Sequence, residues 1–235
     1  MKPKFSVIIP TFNEEAHGFL PQILNLFSAY AGDVEVIVSD SGSHDNTLEL
    51  AQKFGARLIH CSDKSRAQRI NKGVLVASCD LILVNHPRSV LEASAIEYLI
   101  NNSDLKGWGA FTHSFDTSHP LLRFASWYSN NIRSKLAGIV YLDHCIYFRK
   151  QDYIPIPDVD IFEDTLLSKA LIFKIGKPTL KPFLSTTSAV RFVKNGIWKQ
   201  ALLNQYLKLM FLMKGDHSKM NRLYEKNVDL NNKYD

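Results

Sequence analysis

The 235-residue chain is poor in cysteine, in glycine-rich turns and in long apolar runs, and each shortage removes a class of protein. Its three cysteines, Cys61, Cys79 and Cys145, are odd in number and lack paired metal-ligand spacing, so no disulfide framework is expected. A reducing cytoplasm suits such a chain best. The longest apolar stretches, 136–142 and 209–213, fall well short of the roughly 20 residues that cross a bilayer. Lys2 and Lys4 precede an apolar run that is interrupted by Pro10 and followed by Glu14 and Glu15, which is not the layout of a signal peptide. A soluble or peripheral protein is expected. Nucleic acid is not an expected partner, because no helix-turn-helix, zinc-ligand or aromatic RNA-binding motif accompanies the positive charge.

What is present is a core. Apolar residues make up 46% of the chain, enough for one large domain or a domain with a helical extension. Apolar runs at 5–9, 34–38, 57–59 and 81–84 read as strands, with helical spacing between them: Phe19, Ile23, Leu24, Phe27 and Tyr30; Leu48, Ala51 and Phe54; Ile70, Val74 and Ala77. Ser43 or Asp45 can cap the second helix and Ser65 the third. The series is βαβαβαβ, hence an α/β fold with a mainly parallel sheet flanked by helices. Beyond Ser89 the order changes to a helix at 91–100, a strand at 108–115, a helix at 121–136, a strand at 139–148, a proline-containing loop at 151–160 and a helix from Glu163. A last long helix carries Ile197, Trp198, Ala201, Leu202, Tyr206, Leu209, Met210 and Met213 on its apolar side. Its reading as an ordinary packed helix is preferred to a membrane-surface helix. The expected division is a domain at 1–192, in halves of about 1–89 and about 90–192, followed by a basic helical extension at 193–235.

Ligands of open α/β sheets sit beyond the carboxyl ends of the strands. The first strand ends in Pro10-Thr11-Phe12-Asn13-Glu14, which lacks the glycines of a G-x-G-x-x-G dinucleotide turn and offers hydroxyl, amide and carboxylate groups suited to a base or ribose. The second strand ends in Asp40, whose carboxylate can accept from a uracil imide or from ribose hydroxyls. Arg66, just after the Ser65 cap, adds a guanidinium to a positive helix end, an arrangement that attracts phosphate. These residues point to a nucleotide-sugar.

The run Ser6-Val-Ile-Ile-Pro-Thr-Phe-Asn-Glu-Glu15, the segment Glu35-Val-Ile-Val-Ser-Asp-Ser-Gly-Ser-His-Asp-Asn-Thr47, the helix start Ser65-Arg66-Ala67-Gln68-Arg69-Ile70-Asn71-Lys72-Gly73, and later Trp108-Gly109-Ala110-Phe111 and Phe162-Glu163-Asp164 occur in order. Together they resemble family 2 glycosyltransferases of the GT-A fold over about residues 4–225, and within that family the short bacterial transferase 2 type associated with radical-SAM/selenodomain proteins. The resemblance implies an inverting enzyme in which Pro10, Thr11, Asn13, Glu14 and Asp40 line the nucleotide pocket. Arg66 and Asn71 would lie near the ribose or diphosphate, Asp164 would be the general base and Glu163 its neighbour. Asp143 and Arg191 fall on the acceptor side. Inverting transfer needs one carboxylate that deprotonates the acceptor hydroxyl, so a single well-placed Asp suffices.

One element departs from that pattern. Where the family carries an acidic motif that ligates Mn²⁺ or Mg²⁺ across the diphosphate, this chain has Val84-Asn85-His86-Pro87-Arg88-Ser89. A guanidinium cannot ligate a cation. Three readings stay open: Arg88, beside His86, neutralises the departing diphosphate without metal; His86 and Asp143 hold a weaker metal site; or the protein is a silent nucleotide binder. A sugar-phosphate nucleotidyltransferase is a further, weaker alternative. His113, Asp116 and His119 read as a surface or acceptor-side loop, and strand alternation would turn His144 away from Asp143 and Cys145. Residues 169–226 hold twelve Lys and Arg against Asp216 and Glu225. That charge favours a lipid-linked or other acceptor at an anionic membrane surface, with a UDP- or GDP-linked sugar as donor.

Overall fold

A computed structural model describes residues 2–63 and 65–226 of the chain. The strands are β1 (Phe5–Thr11), β2 (Val34–Asp40), β3 (Arg57–His60), β4 (Leu81–Val84), β5 (Ser89–Leu91), β6 (Gly109–Phe115), β7 (Ile146–Arg149) and β8 (Thr179–Thr187). The helices are α1 (Phe19–Ser28), α2 (Thr47–Lys53), α3 (Arg66–Val76), α4 (Ala93–Asn101), α5 (Pro120–Tyr128), α6 (Glu163–Ile175), α7 (Val190–Asn195), α8 (Ile197–Leu212) and α9 (His217–Glu225).

β1 is buried along its whole length, because period-two alternation sends Phe5, Val7 and Ile9 to one face and Ile8 to the other, and helices cover both. The first face receives Leu20, Ile23, Leu24 and Phe27 of α1, Ala51 of α2, and Ala95, Ile96 and Leu99 of α4. The second receives Ala67, Ile70 and Val74 of α3 with Leu167 and Leu171 of α6. Each large side chain so buried contributes about 1.5–3 kcal/mol. α3 lies hard against β1: a Cβ on Gly73 would come within 2.4 Å of the Ile8 side chain, so no larger residue fits there. Ser65 caps α3 as its sequence suggests, accepting from the Gln68 N–H at 3.2 Å.

The eight strands form one sheet in the order β3-β2-β1-β4-β7-β6-β8-β5. β1 pairs in parallel with both β2 and β4, so the chain order reverses beside β1 and opens a crevice past the carboxyl ends of β1 and β4. β7 then runs antiparallel to β4 and β6.

Three expectations are corrected. The strand expected at 139–148 is β7 alone; before it Leu142–His144 makes a single 3₁₀ turn and Cys145 has φ 54°, which breaks the strand. The helix expected at 121–136 is α5, continued by wider π-helical turns over Ser129–Ala137. The apolar stripe expected to pack α8 down faces outward instead. Trp198, Leu202, Leu209 and Met213 are exposed, while Leu203, Leu207, Met210 and Phe211 face Ile161 and Met220 of the core beneath. Apolar residues surround α8, so periodicity could not choose the buried side. Of the extension expected at 193–235, residues 227–235 lie outside the described residues.

Candidate active site

The loops after β1 and β2 are stitched to each other. The Asp40 carboxylate accepts from Thr11 Oγ1 at 2.7 Å, from the Gly42 and Ser43 N–H groups at 2.8 and 2.7 Å, and from Ser43 Oγ at 2.6 Å. Asn13, in the left-handed region at φ 50°, accepts from the His44 N–H at 2.9 Å, and its own N–H donates to Ser43 Oγ at 2.8 Å. The Glu14 N–H donates to Thr47 Oγ1 at 2.8 Å. Polar side chains therefore satisfy buried backbone that no ladder reaches. Thr11, Asn13 and Asp40 lie behind this wall, whereas Pro10 and Glu14 face the space in front of it.

That space is a cleft of about 1450 Å³. Its sheet-side wall comprises Pro10, Glu14, Arg66, Arg69, His86 and Arg88; the far wall holds His113, Arg133, Tyr141, Asp143, Asp164 and Lys208; Arg191, Tyr224 and Glu225 close one end. Eight of the sequence-derived candidates thus line the cleft and Thr11, Asn13 and Asp40 lie directly behind it, while Asn71 does neither. Its amide oxygen accepts from the Ile156 N–H at 2.9 Å and its amide nitrogen donates to the Ile156 carbonyl at 2.8 Å, pinning the proline loop to α3.

Each candidate cation is held by a carboxylate. Arg88 grips Glu14 at two points, Nε to Oε2 at 2.8 Å and Nη2 to Oε1 at 3.1 Å, with both side chains nearly buried. Arg66 pairs through Nε with Glu163, which is buried, and its Nη1 is 3.1 Å from His86 Nε2. Arg191 donates to the Tyr224 carbonyl at 2.9 Å and to Glu225 at 3.1 Å, its guanidinium 4.0 Å from the Tyr224 ring centroid. Burial and the charges of Arg66 and Arg88 hold His86 well below the usual imidazole range, so it is neutral.

Asp164 opens α6. Its Oδ1 accepts from the Thr165 N–H at 2.6 Å, and Oδ2 stands 3.4 Å from the Leu142 nitrogen. Burial raises its carboxyl, and the Glu163 charge beside it raises it further than Arg66 lowers it, to about 7. Asp143 is its opposite. Burial pushes that carboxyl up, but His113 and His144, once protonated, and Arg133 outweigh it and hold it at about 2. His113 Nε2 lies 3.5 Å and His144 Nε2 4.0 Å from Asp143, because the 3₁₀ turn puts neighbouring residues on the same side. His113 is thus a buried β6 residue, where sequence placed it in a loop, and the His–Asp–His cluster had no motif to announce it.

Arg69 was also hidden. It sits one turn after Arg66 on α3 and reads as a solvated helix residue, yet it is 4% exposed. Its Nη1 donates to the Thr11 carbonyl at 3.0 Å, Nε has no partner, and among the described residues it forms no ion pair. A buried guanidinium without a carboxylate keeps donors that suit phosphate oxygens.

The segment that stands in place of the acidic motif offers no carboxylate to Mn²⁺ or Mg²⁺. Among the described residues no three His, Cys, Asp or Glu side chains gather as a metal site. Asn85 turns inward, its amide donating to the His86 and Ser89 carbonyls at 2.8 and 3.0 Å and its oxygen accepting from Cys145 Sγ at 3.3 Å. Glu14 is committed to Arg88.

Residues 6–115 match glycosyl transferase family 2. Over 102 residues, 40% of this chain and 39% of the relative, the sequence is 35% identical to a PGL/p-HBAD biosynthesis glycosyltransferase of Mycobacterium bovis, so the match spans about two fifths of that curated protein. Among solved structures, S. aureus TarS 1-349 superposes on 98% of this chain and 71% of its own at 13% identity, TM-score 0.61. A mannosyltransferase from Pyrobaculum calidifontis, in complex with GDP-Man and Mn²⁺, covers 97% of this chain and 71% of its own at 15% identity, TM-score 0.59. At such identities these two speak for the fold. The match to glycosyl transferase family 2 is confined to residues 6–115, and the α/β fold around it is similar to that of these GT-A glycosyltransferase structures.

Proposed function

We propose that this protein transfers a glycosyl group from a nucleoside-diphosphate sugar to an acceptor hydroxyl, with inversion at the anomeric carbon and without a metal ion. The observation that carries this reading is the position of Asp164, a carboxylate raised to about 7, in the same cleft as four arginines from the nucleotide side and the closing end. The ionised Asp164 takes the acceptor's hydroxyl proton as that oxygen bonds to the anomeric carbon. The carbon–oxygen bond to the donor phosphate breaks, and its electron pair leaves with the nucleoside diphosphate. The pattern of ion pairs favours Arg69 as the guanidinium that meets this charge, with Arg66 and Arg88 as neighbours already oriented by Glu163 and Glu14. His86, neutral between those two arginines, offers a ring nitrogen and no charge.

Donor and acceptor follow the same logic. A UDP- or GDP-linked sugar suits the Pro10–Glu14 wall, and a sugar or lipid-linked acceptor suits the far side near Asp143. Arg191 would reach either one after leaving Glu225. The exposed apolar face of α8 beside the basic residues of 169–226 supports contact with an anionic membrane surface. Among the described residues no helix is long and apolar enough to cross a membrane. The order of motifs from Ser6 to Asp164 supports the short transferase 2 subgroup of family 2.

The test is a panel of UDP- and GDP-sugars with and without EDTA. Turnover that survives EDTA and disappears in Asp164→Asn supports the reading. Nucleotide binding without turnover on any acceptor would make the protein a silent binder. Failure to bind any nucleotide would remove the basis of the proposal.

A further inference from the structure

Two cations on the far wall are not absorbed by the chemistry above. The Arg133 guanidinium lies 3.4 Å from the Tyr141 ring centroid, and the Lys208 ammonium lies 5.9 Å from the same ring. Among the described residues neither forms an ion pair. Arg133 is oriented by the Ile139 carbonyl at 3.3 Å and by Ser129 Oγ. Among the described residues the Lys208 amine makes no hydrogen bond; burial and the nearby Arg133 charge lower its pKa, against the smaller opposing effect of Asp143 and Asp164. Both residues share the cleft with Asp164.

The wall leading outward from these cations is apolar. α5 places Leu121, Phe124 and Tyr128 along the cleft, and Phe124 and Tyr128 are 59% and 43% exposed. Phe124 stacks on Trp127 at 5.8 Å between ring centroids, and Trp127 is itself half exposed. Exposed aromatic residues that continue from a polar cleft mark a place where an apolar group is covered.

We propose that the acceptor is an acidic amphiphile: its phosphate or carboxylate lies between Arg133 and Lys208, its hydroxyl reaches Asp164, and its apolar chain leaves along Leu121, Phe124 and Tyr128 of α5. This inference rests on the glycosyl-transfer reading, since it assigns the acceptor side of the same cleft. Charge complementarity specifies the head, and continuity of the α5 wall with the cleft specifies the tail.

The experiment measures binding to the full chain by calorimetry, below micellar concentrations, with decyl phosphate, decanoate, decyl maltoside and inorganic phosphate, and separately with UDP. Decyl phosphate or decanoate binding at least tenfold tighter than inorganic phosphate is expected, and the two identify which acidic head is preferred. Lys208→Met, which removes an amine that makes no hydrogen bond, should weaken the acidic amphiphiles at least fivefold and leave decyl maltoside unchanged. Phe124→Ser, at an exposed position, should weaken all three amphiphiles. Acidic amphiphiles that bind no tighter than inorganic phosphate, or that are indifferent to Lys208→Met, would overturn the proposal; UDP binding in the same preparation would then leave the glycosyl-transfer reading standing. Loss of UDP binding as well would take both down.

Discussion

Arg88 and Glu14 meet through two parallel contacts, Nε to Oε2 and Nη2 to Oε1, across the mouth of the crevice between β1 and β4. A cation where the resemblance to family 2 would place a metal ligand is thus paired with an anion from the neighbouring loop. Removing one charge from a buried pair is costly, whereas replacing both with apolar groups is often tolerated. Glu14→Gln is expected to destabilise the fold by about 3 kcal/mol, and Glu14→Leu with Arg88→Met by much less. Urea unfolding of the two singles and the double measures the coupling; additive effects would show that the pair is independent.

Arg69 makes the reverse prediction. Its charge is buried without a carboxylate, so Arg69→Met should leave stability unchanged or raise it, while UDP affinity falls more than tenfold. Calorimetric titration beside thermal unfolding reads both. A variant that unfolds while retaining UDP affinity would assign Arg69 a structural task.

Asp40 should behave as the converse of Arg69. Four donors converge on its carboxylate, and an amide cannot accept from all of them. Asp40→Asn is expected to cost about 1–3 kcal/mol. UDP affinity, measured at a temperature where the variant stays folded, should change less than tenfold.

The carboxyl of Asp164 sits above its unfolded value, so the folded chain holds that proton more tightly than the unfolded chain between the ordinary carboxylate range and about pH 7. Stability from this group declines as pH rises through that window, while the ionised base that catalysis needs appears. Transfer rates are expected to rise with pH to a plateau above about 7. Asp164→Asn should lower kcat by at least 100-fold and raise the melting temperature at pH 8 but not at pH 4. A flat pH–rate profile in the wild type would contradict the assignment of the base.

The His–Asp–His cluster has the opposite sign. His113 and His144 are held below the usual imidazole range by burial, His144 to about 3, so the unfolded chain takes up protons first as pH falls. Their stabilisation is present above the unfolded imidazole pKa and is lost below it. Asp143 adds stability above its unfolded pKa that disappears only as pH falls through about 2. Urea midpoints should therefore drop between pH 7 and pH 4, and His113→Asn should flatten the slope. An unchanged slope would remove His113 from the cluster's proton balance.

Legibility in sequence followed the kind of force involved. β1 could be read because an element buried on both faces is apolar at nearly every position, and α3 because Ser65 announces its cap. Asp164 stood out only through the resemblance of Phe162-Glu163-Asp164 to a family landmark, because an acidic pair in a first helical turn otherwise reads as a partner of the helix dipole. β8 was not. Its Thr179-Leu-Lys-Pro-Phe segment has a proline, which a regular strand resists, and the sheet accommodates it by a register shift against β6 between Phe111 and Thr112. Arg69 was invisible for a different reason: burial of a charge is decided by the strand end it packs on, here the Thr11 carbonyl, far away in sequence. His113, Asp143 and His144 converge only because Cys145 takes a left-handed backbone conformation, which no local pattern foretells.

The end of the cleft formed by α9 gives the molecule a history as well as a shape. Pro10, at one wall, leaves the ribosome more than two hundred residues before Tyr224 and Glu225, which clasp Arg191 at the other. Amino-terminal segments gain structure first during synthesis. Among the described walls of the cleft, the end that α9 forms is therefore the last to be synthesised.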